Sequence, residues 1–558
     1  MQPNLFSIFS FLFNSMKNKI YLCLLCCALL SFNAVAQEFA RKDSLRGSIT
    51  KERAWWDLLH YNIEISYDIE NKFISGKNTI RYRVINSDSE LQIDLQAPMT
   101  IKSIHQEGEL LTYRKEFSSY FVKLNTSQEP GSIQEISIEF QGIPPESLNP
   151  PWDGGFVWKT DKNQKPFIAN ANQSLGSSSW LPSKDIPYDE PDQGMEISIS
   201  APSSLVSVSN GRLVAQDSNT VGTDKYTWKV INPINGYGIN MNLGDYVHFE
   251  ETYTGENGLL DLDYYVLSYN LEKAKKQFKQ VPKMLEAFEN WFGPYPFYED
   301  GFKLVETPYL GMEHQSSVTY GNGYQNGYLG GDLSFTGEGL KFDFIIIHES
   351  GHEWFANSLT NYDVADMWIH EGFTTYSEIL YLDYHFGTSS GNKYLMGLRE
   401  RASNTTPVTG IYKVNQRGSD DMYYKGAAML HTLRQVINND EKFRELLRGI
   451  NKTFFHQTLT SMQLENYIME QTSLDLKGFF EQYLRTIKIP VVQYRIKNGV
   501  FSYCFKNTVK GFNIPVRFFV DDKEVWLNPS EKWQKLTLPT KYSKIKLDEN
   551  FYIDFSQK

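Results

Sequence analysis

"IIIHESGHEW", residues Ile345 to Trp354, carries two histidines four apart with a glutamate directly after the first. On an α-helix, His348 and His352 lie one turn apart on the same face, so both imidazoles can meet one ion. Zinc accepts neutral imidazole nitrogen, and a catalytic zinc site uses three protein ligands with a fourth position left for water. Glu349 then leans toward that water, where it can take a proton and later return it to a leaving amine. Phe344 to Ile347 are apolar enough to bury such a helix. The motif alone is equally compatible with a buried helix that happens to carry two histidines, so a third ligand on a neighbouring helix is required.

"DMWIHEGFTTYSEILYLDYHFG" (residues 366–387) provides that helix, and its Glu371 follows His352 after eighteen intervening residues. This spacing leaves room for one helix to end and the next to begin beside it, which makes Glu371 the third ligand. Glu378, two turns further on, is positioned to hold a histidine through its second ring nitrogen, as metal sites commonly require, or else is a solvated helix charge. His370 points away from its neighbour Glu371 and is read as structural. His385, His431 and His456 are assigned nothing.

Working outward, the chain before this region has period two. In "HYNIEISYDIE" (60–70) Tyr61, Ile63, Ile65, Tyr67 and Ile69 alternate with polar residues, and "NTIRYRVIN" (78–86) and "QEISIEFQG" (134–142) repeat the pattern. Short alternating strands with Gly, Pro and Asn turns predict an antiparallel β domain, assigned to residues 37–250. Helical spacing begins with Phe278, Val281, Leu285, Phe288 and Phe292, stopped by Gly293-Pro294. "YGNGYQNGYLGGDLSFTGEG" (320–339) reads as a long ordered loop over a surface or cleft. From Lys341 to about Thr486 nearly every segment reads as helix, giving a mainly helical domain over 251–489. Alternation returns at "IPVVQYRIKNGVFSY" (489–503), predicting a small β-sandwich over 490–558. The fold class expected is therefore multidomain α+β.

The 558 residues are 41% hydrophobic and 22% charged, enough for large cores and against wholesale disorder. A formal net charge of −11 argues against a nucleic-acid partner and favours a substrate carrying positive charge. From Met16, "MKNKIYLCLLCCALLSFNAVAQ" has two lysines, a short apolar run and Ala34-Val35-Ala36, the layout of a secretory signal cleaved before Gln37. The apolar run is shorter than the ~20 residues of a bilayer span. Residues 1–36 are accordingly read as a signal peptide, with the start at Met1 or Met16. The mature protein is then periplasmic or secreted, with no stable membrane span. Cys23, Cys26 and Cys27 fall in that leader, leaving Cys504 alone and no internal disulfide.

HESGH together with "WIHEGFTTY" resembles the zinc aminopeptidase family of aminopeptidase N and leukotriene hydrolase, whose signature is HExxH, eighteen residues, then a glutamate within W-x-x-E-G-F/H. "LGMEHQ" (310–315) falls where the family has G-x-M-E-N, and "YYKGAAML" (423–430) where it has Y-x-K-G. "SSSWLPSKDIPYDE" (177–190) is similar to the W-F-P-x-x-D-x-P segment, and "FEQYLRTIKIPVV" (480–492) to the end of the catalytic domain. The resemblance covers about residues 55 to 495 and implies an N-terminal β-saddle, a thermolysin-like catalytic domain and one zinc ion per chain. It further implies that Glu313 holds the free α-amino group of a peptide substrate. Gly311 and Met312 would form an edge strand that pairs with the peptide, and Tyr423 would donate to the oxyanion.

Three departures from the family pattern stand out. His314 replaces the family asparagine, and could donate a hydrogen bond or alter specificity at the amine end. Gln173, nine residues before Pro182, stands where many members carry a second amine-binding glutamate, so the grip on the ammonium should weaken. Only about seventy β-patterned residues follow Pro490 in place of a large helical domain, which implies a more open cleft. Beside aminopeptidase action, the same pattern allows an endopeptidase or a hydrolase of non-peptide bonds, or a zinc-binding protein that retains the fold without catalysis.

Overall fold

The computed structural model describes residues 39–538 and 544–558, so the expected signal peptide lies outside the described residues. The period-two segments pair as expected. The strand Trp56–Asp68 runs antiparallel to Phe73–Val84, with Tyr61 opposite Ile80, and Phe73–Val84 pairs in turn with Ile133–Gly142. Tyr61, Ile63 and Ile65 are buried while Asn62, Glu64 and Ser66 between them face solvent, as the two-residue period of a pleated strand requires. These strands belong to an eight-stranded open sheet. The sheet is antiparallel throughout except that Met195–Pro202 runs parallel to Trp56–Asp68; the long excursion between these two strands supplies the crossover that a parallel pair needs. Trp56, Trp180 and Trp228 are each almost wholly buried in the core of this layer.

A second sheet of five strands begins with the hairpin Tyr246–Gly255 and Gly258–Leu267, continues through Phe302–Glu306 and Val318–Tyr320, and ends at Gly311–Met312. That last strand pairs on one side only, Gly311 with Tyr320 and Met312 with Thr319. Helices follow at Gln280–Phe292, Phe344–Gly351, Trp368–Phe386, Thr388–Arg399, Asp421–Ile437, Asp440–Thr453, Ser461–Thr472 and Lys477–Arg485, with Gln280–Phe292 preceding the final sheet strands in sequence.

Three segments interrupt the mainly helical stretch 341–486. Residues 359–361 form a strand parallel to Gln457–Leu459. Residues 403–420 form an ordered loop, with Asn404, Lys413 and Asn415 at positive φ, a conformation that interrupts a helix. Beyond Val491 the chain forms a four-stranded and a three-stranded sheet, joined by the stacked rings of Phe501 and Phe518 at 5.3 Å. The helical region and these sheets share one continuous apolar core, from Leu260 to Ile553.

Candidate active site

The HESGH helix is fixed at its start by Asp343, whose carboxylate accepts from the backbone N–H groups of Ile345 and Ile346 and from Tyr320, Asn322 and Gln277, each side-chain bond at 2.8 Å. Such a cap satisfies amides that would otherwise be orphaned at a buried helix end. Ile345, Ile346 and Ile347 lock the helix into the core.

The neighbouring helix Trp368–Phe386 crosses Asp421–Ile437 where two glycines meet. A Cβ on Gly426 would stand 3.0 Å from the Cα of Gly372, and one on Gly372 would stand 3.2 Å from the Met422 carbonyl oxygen. Only glycine at both positions lets the backbones come this close, and the contact lies one residue after Glu371 and three after Tyr423. The crossing therefore sets the spacing between those two side chains.

His348, His352 and Glu371 offer one donor atom each, all within 4.8 Å of one another and all buried. Nε2 of His348 is 3.6 Å and Nε2 of His352 is 3.3 Å from Oε2 of Glu371. Bonds of about 2.0–2.1 Å to a tetrahedral ion separate ligand atoms by about 3.4 Å, so both histidine nitrogens already stand at ligand spacing from Glu371. The ring tautomers agree. His348 donates from Nδ1 to Glu378 at 2.7 Å, and His352 from Nδ1 to the Phe355 carbonyl at 3.0 Å. A carbonyl or carboxylate oxygen can only accept, so in the neutral ring each Nδ1 carries the proton and each Nε2 keeps its lone pair for a metal. Glu371 Oε2 is buried without a hydrogen-bond partner, the state expected of a metal-ligand oxygen.

Glu349 lines the cleft beside these donors. Burial pushes its carboxyl up to about 7; His348 opposes the shift and Glu313 adds to it. Glu313, Glu349 and His352 also bring one polar atom each within 4.8 Å of one another. Burial raises the Glu313 pKa as well. Gln173 reaches in from the N-terminal β region and donates from Nε2 to Glu313 Oε1 at 2.6 Å and to Glu371 Oε1 at 3.1 Å. Asn210 and Asn235 of the same region bind the Gln315 carbonyl and Asn357 Oδ1 at 2.7 and 2.9 Å, which holds the two layers in register around the site.

Tyr423 shares the cleft, its ring centroid 6.2 Å from that of His348. Burial, reinforced by the charge of Glu371, holds its hydroxyl well above the ordinary tyrosine range, so it remains a donor. Gly311 and Met312 lie on the edge strand beside Glu313. His314 does not join the cleft. It is fully buried, Nδ1 lies 3.3 Å from Thr319 Oγ1, and burial lowers its pKa to about 3. His370 is buried and accepts from the Asn361 amide at 2.9 Å.

Two groups escaped the sequence reading. Tyr394 donates to the second oxygen of Glu378 at 2.6 Å, and Trp152 lines the cleft. Neither belongs to a motif; the helical apolar spacing of Tyr394, Leu395 and Leu398 was the only available signal, and it indicates burial alone. The cleft itself encloses about 440 Å³.

The family model for the Peptidase family M1 domain matches residues 276–483, and that for the Peptidase M1 N-terminal domain matches residues 58–237, together well over half of the chain. The chain belongs to peptidase family M1. Among curated relatives of this M1 chain, Probable aminopeptidase 2 of Sulfurisphaera tokodaii is 21% identical over 455 residues, covering 79% of the chain and 54% of the relative. Leukotriene A-4 hydrolase of Xenopus laevis is 23% identical over 481 residues, covering 80% and 74% respectively. The M1 chain spans about half the length of the first curated relatives it matches. Its fold is that of a crystallised M1 zinc metallopeptidase variant from Deinococcus radiodurans bound to a Tyr-Ser-Ala substrate, with a TM-score of 0.66 at 18% identity over 78% of this chain and 96% of that one.

Proposed function

We propose that the chain is a zinc-dependent aminopeptidase that releases N-terminal residues from peptides, with one zinc ion held by His348, His352 and Glu371. One observation carries the choice of exopeptidase. The carboxylates of Glu313 and Glu349 and the His352 ring approach within 4.8 Å, while the α-nitrogen and carbonyl carbon of one residue are about 2.5 Å apart. An ammonium held by Glu313 leaves room for a single residue before the bond at Glu349, so only the first peptide bond is presented.

When bound, zinc acts as a Lewis acid on the scissile carbonyl and lowers the pKa of the attacking water. Glu349 removes a proton from that water as the new C–O bond forms, then delivers it to the departing nitrogen as the C–N bond breaks. Tyr423 donates to the oxygen that becomes negative. Glu313 pairs with the substrate ammonium, and Gln173 holds the Glu313 carboxylate in place. The free edge of Gly311–Met312 supplies backbone groups to an extended peptide. Glu378 orients His348.

Export to the periplasm or the medium is part of the same proposal and rests on the leader-like residues 16–36. No helix among the described residues is long and apolar enough to cross a membrane. Chelation followed by zinc titration tests the metal reading: hydrolysis of aminoacyl anilides should vanish and return with one equivalent of zinc. Glu349→Gln should bind that equivalent and remain inactive. Full activity in metal-free protein, or in the Gln variant, contradicts the assignment.

A further inference from the structure

The cleft that holds His348 and Glu349 is also lined by Tyr424, Arg401 and Arg417. Arg401 is held in place without being neutralised. Its Nε donates to the Tyr424 hydroxyl at 3.2 Å and Nη1 to the Leu333 carbonyl at 3.4 Å, and its guanidinium lies 5.5 Å from the Tyr424 ring centroid. No Asp or Glu pairs with it among the described residues. Arg417 has a single ion pair, to Asp420 at 3.0 Å, with side chains 45% and 78% exposed. An exposed pair of this kind contributes little and leaves most of the five guanidinium donors unused.

The polarity of the cleft follows. Glu349 lines it, with Glu313 and Glu371 clustered close by around His352, in a chain of net charge −11, and two under-used guanidiniums line the same cleft. A short peptide with both termini free has the matching dipole, an ammonium at one end and a carboxylate a few residues along, at about 3.3 Å per extended residue. Arginine presents the planar fork that carboxylates accept.

We propose that Arg401 and Arg417 bind the C-terminal carboxylate of short peptides, so that the preferred substrates are oligopeptides of a few residues with both termini free. This rests on the aminopeptidase reading, in which Glu313 takes the other end. A side-chain carboxylate could offer the same chemistry, so the test needs three substrates: trialanine, its C-terminal amide, and Ala-Ala-Glu amide, each with a free N-terminus. The free acid should be cleaved with kcat/KM about tenfold or more above the plain amide, and the glutamate amide should behave like the plain amide. In Arg401→Gln/Arg417→Gln the acid-to-amide ratio should fall to about one, and the double lysine variant should recover part of it.

A wild-type ratio near one overturns the proposal, as does a ratio that survives in the Gln variant. A glutamate amide that matches the free acid overturns it too, because it locates the ligand in a side chain. Failure of the aminopeptidase reading looks different: no N-terminal residue is released from acid or amide alike.

Discussion

His348 donates its Nδ1–H to Glu378 across 2.7 Å, and Tyr394 donates to the other oxygen of the same carboxylate at 2.6 Å. The Tyr394–Glu378–His348 chain fixes the imidazole tautomer that leaves Nε2 available to the metal. Partners of this kind typically contribute 10–100-fold to metal affinity. Glu378→Ala should therefore weaken zinc binding by about that factor, measured by competition with a chromogenic chelator, and Tyr394→Phe should weaken it less. Unchanged affinity in Glu378→Ala contradicts the orienting role.

Tyr423 stays protonated because burial and the nearby Glu371 both oppose its ionisation. Removing one oxyanion donor typically costs about 10²–10³ in kcat. Tyr423→Phe should lose turnover on that scale with a far smaller change in KM, measured by steady-state kinetics. A large KM effect with kcat intact points to ground-state binding instead.

The Gly372–Gly426 contact tests the packing account. Alanine at 426 gains up to about 1 kcal/mol of helix propensity, yet its Cβ meets the Gly372 Cα at 3.0 Å, and overpacking costs typically 1–3 kcal/mol. Gly426→Ala should lower the Tm slightly and reduce turnover disproportionately, because the helices carrying Glu371 and Tyr423 separate. A variant more stable than wild type with full activity contradicts this.

Glu190 is buried, with Oε1 unpartnered, and burial pushes its carboxyl up to about 8. Its unfolded value is 4.5, so between those limits the native state holds a proton that the unfolded chain has released. The stabilising contribution is complete below pH 4.5 and is lost as pH rises toward 8, at up to about 1.4 kcal/mol per pH unit. Tm measured from pH 5 to 9 should show Glu190→Gln gaining steadily on wild type up to about pH 8. A constant difference across that range contradicts the assignment.

What was legible in the sequence was local or periodic. Alternation in 60–70 and 78–86 gave the sheet, and the HESGH and WIHEGF spacing gave three donors that the fold brings within 4.8 Å. Gln173 reaches Glu313 across a separation of 140 residues, and only the family resemblance could connect them. The burial of His314 depends on strand register, Met312 opposite Thr319, which no local pattern encodes. Residues 403–420 read as helical because their flanks are, whereas positive φ at Asn404, Lys413 and Asn415 makes them the loop that carries Arg417 to the cleft. Gln173 also sharpens the expectation of a weaker amine grip: its amide occupies one oxygen of Glu313, so it removes a negative charge and shares the remaining carboxylate.

The most direct test of the account is mass analysis of products from one peptide in two forms, N-terminally free and N-acetylated, incubated with zinc-loaded protein. The free peptide should shorten one residue at a time from its N-terminus, and the acetylated form should remain intact. Equal cleavage of both forms, or internal cuts in either, would contradict an ammonium anchored at Glu313 beside the hydrolytic Glu349.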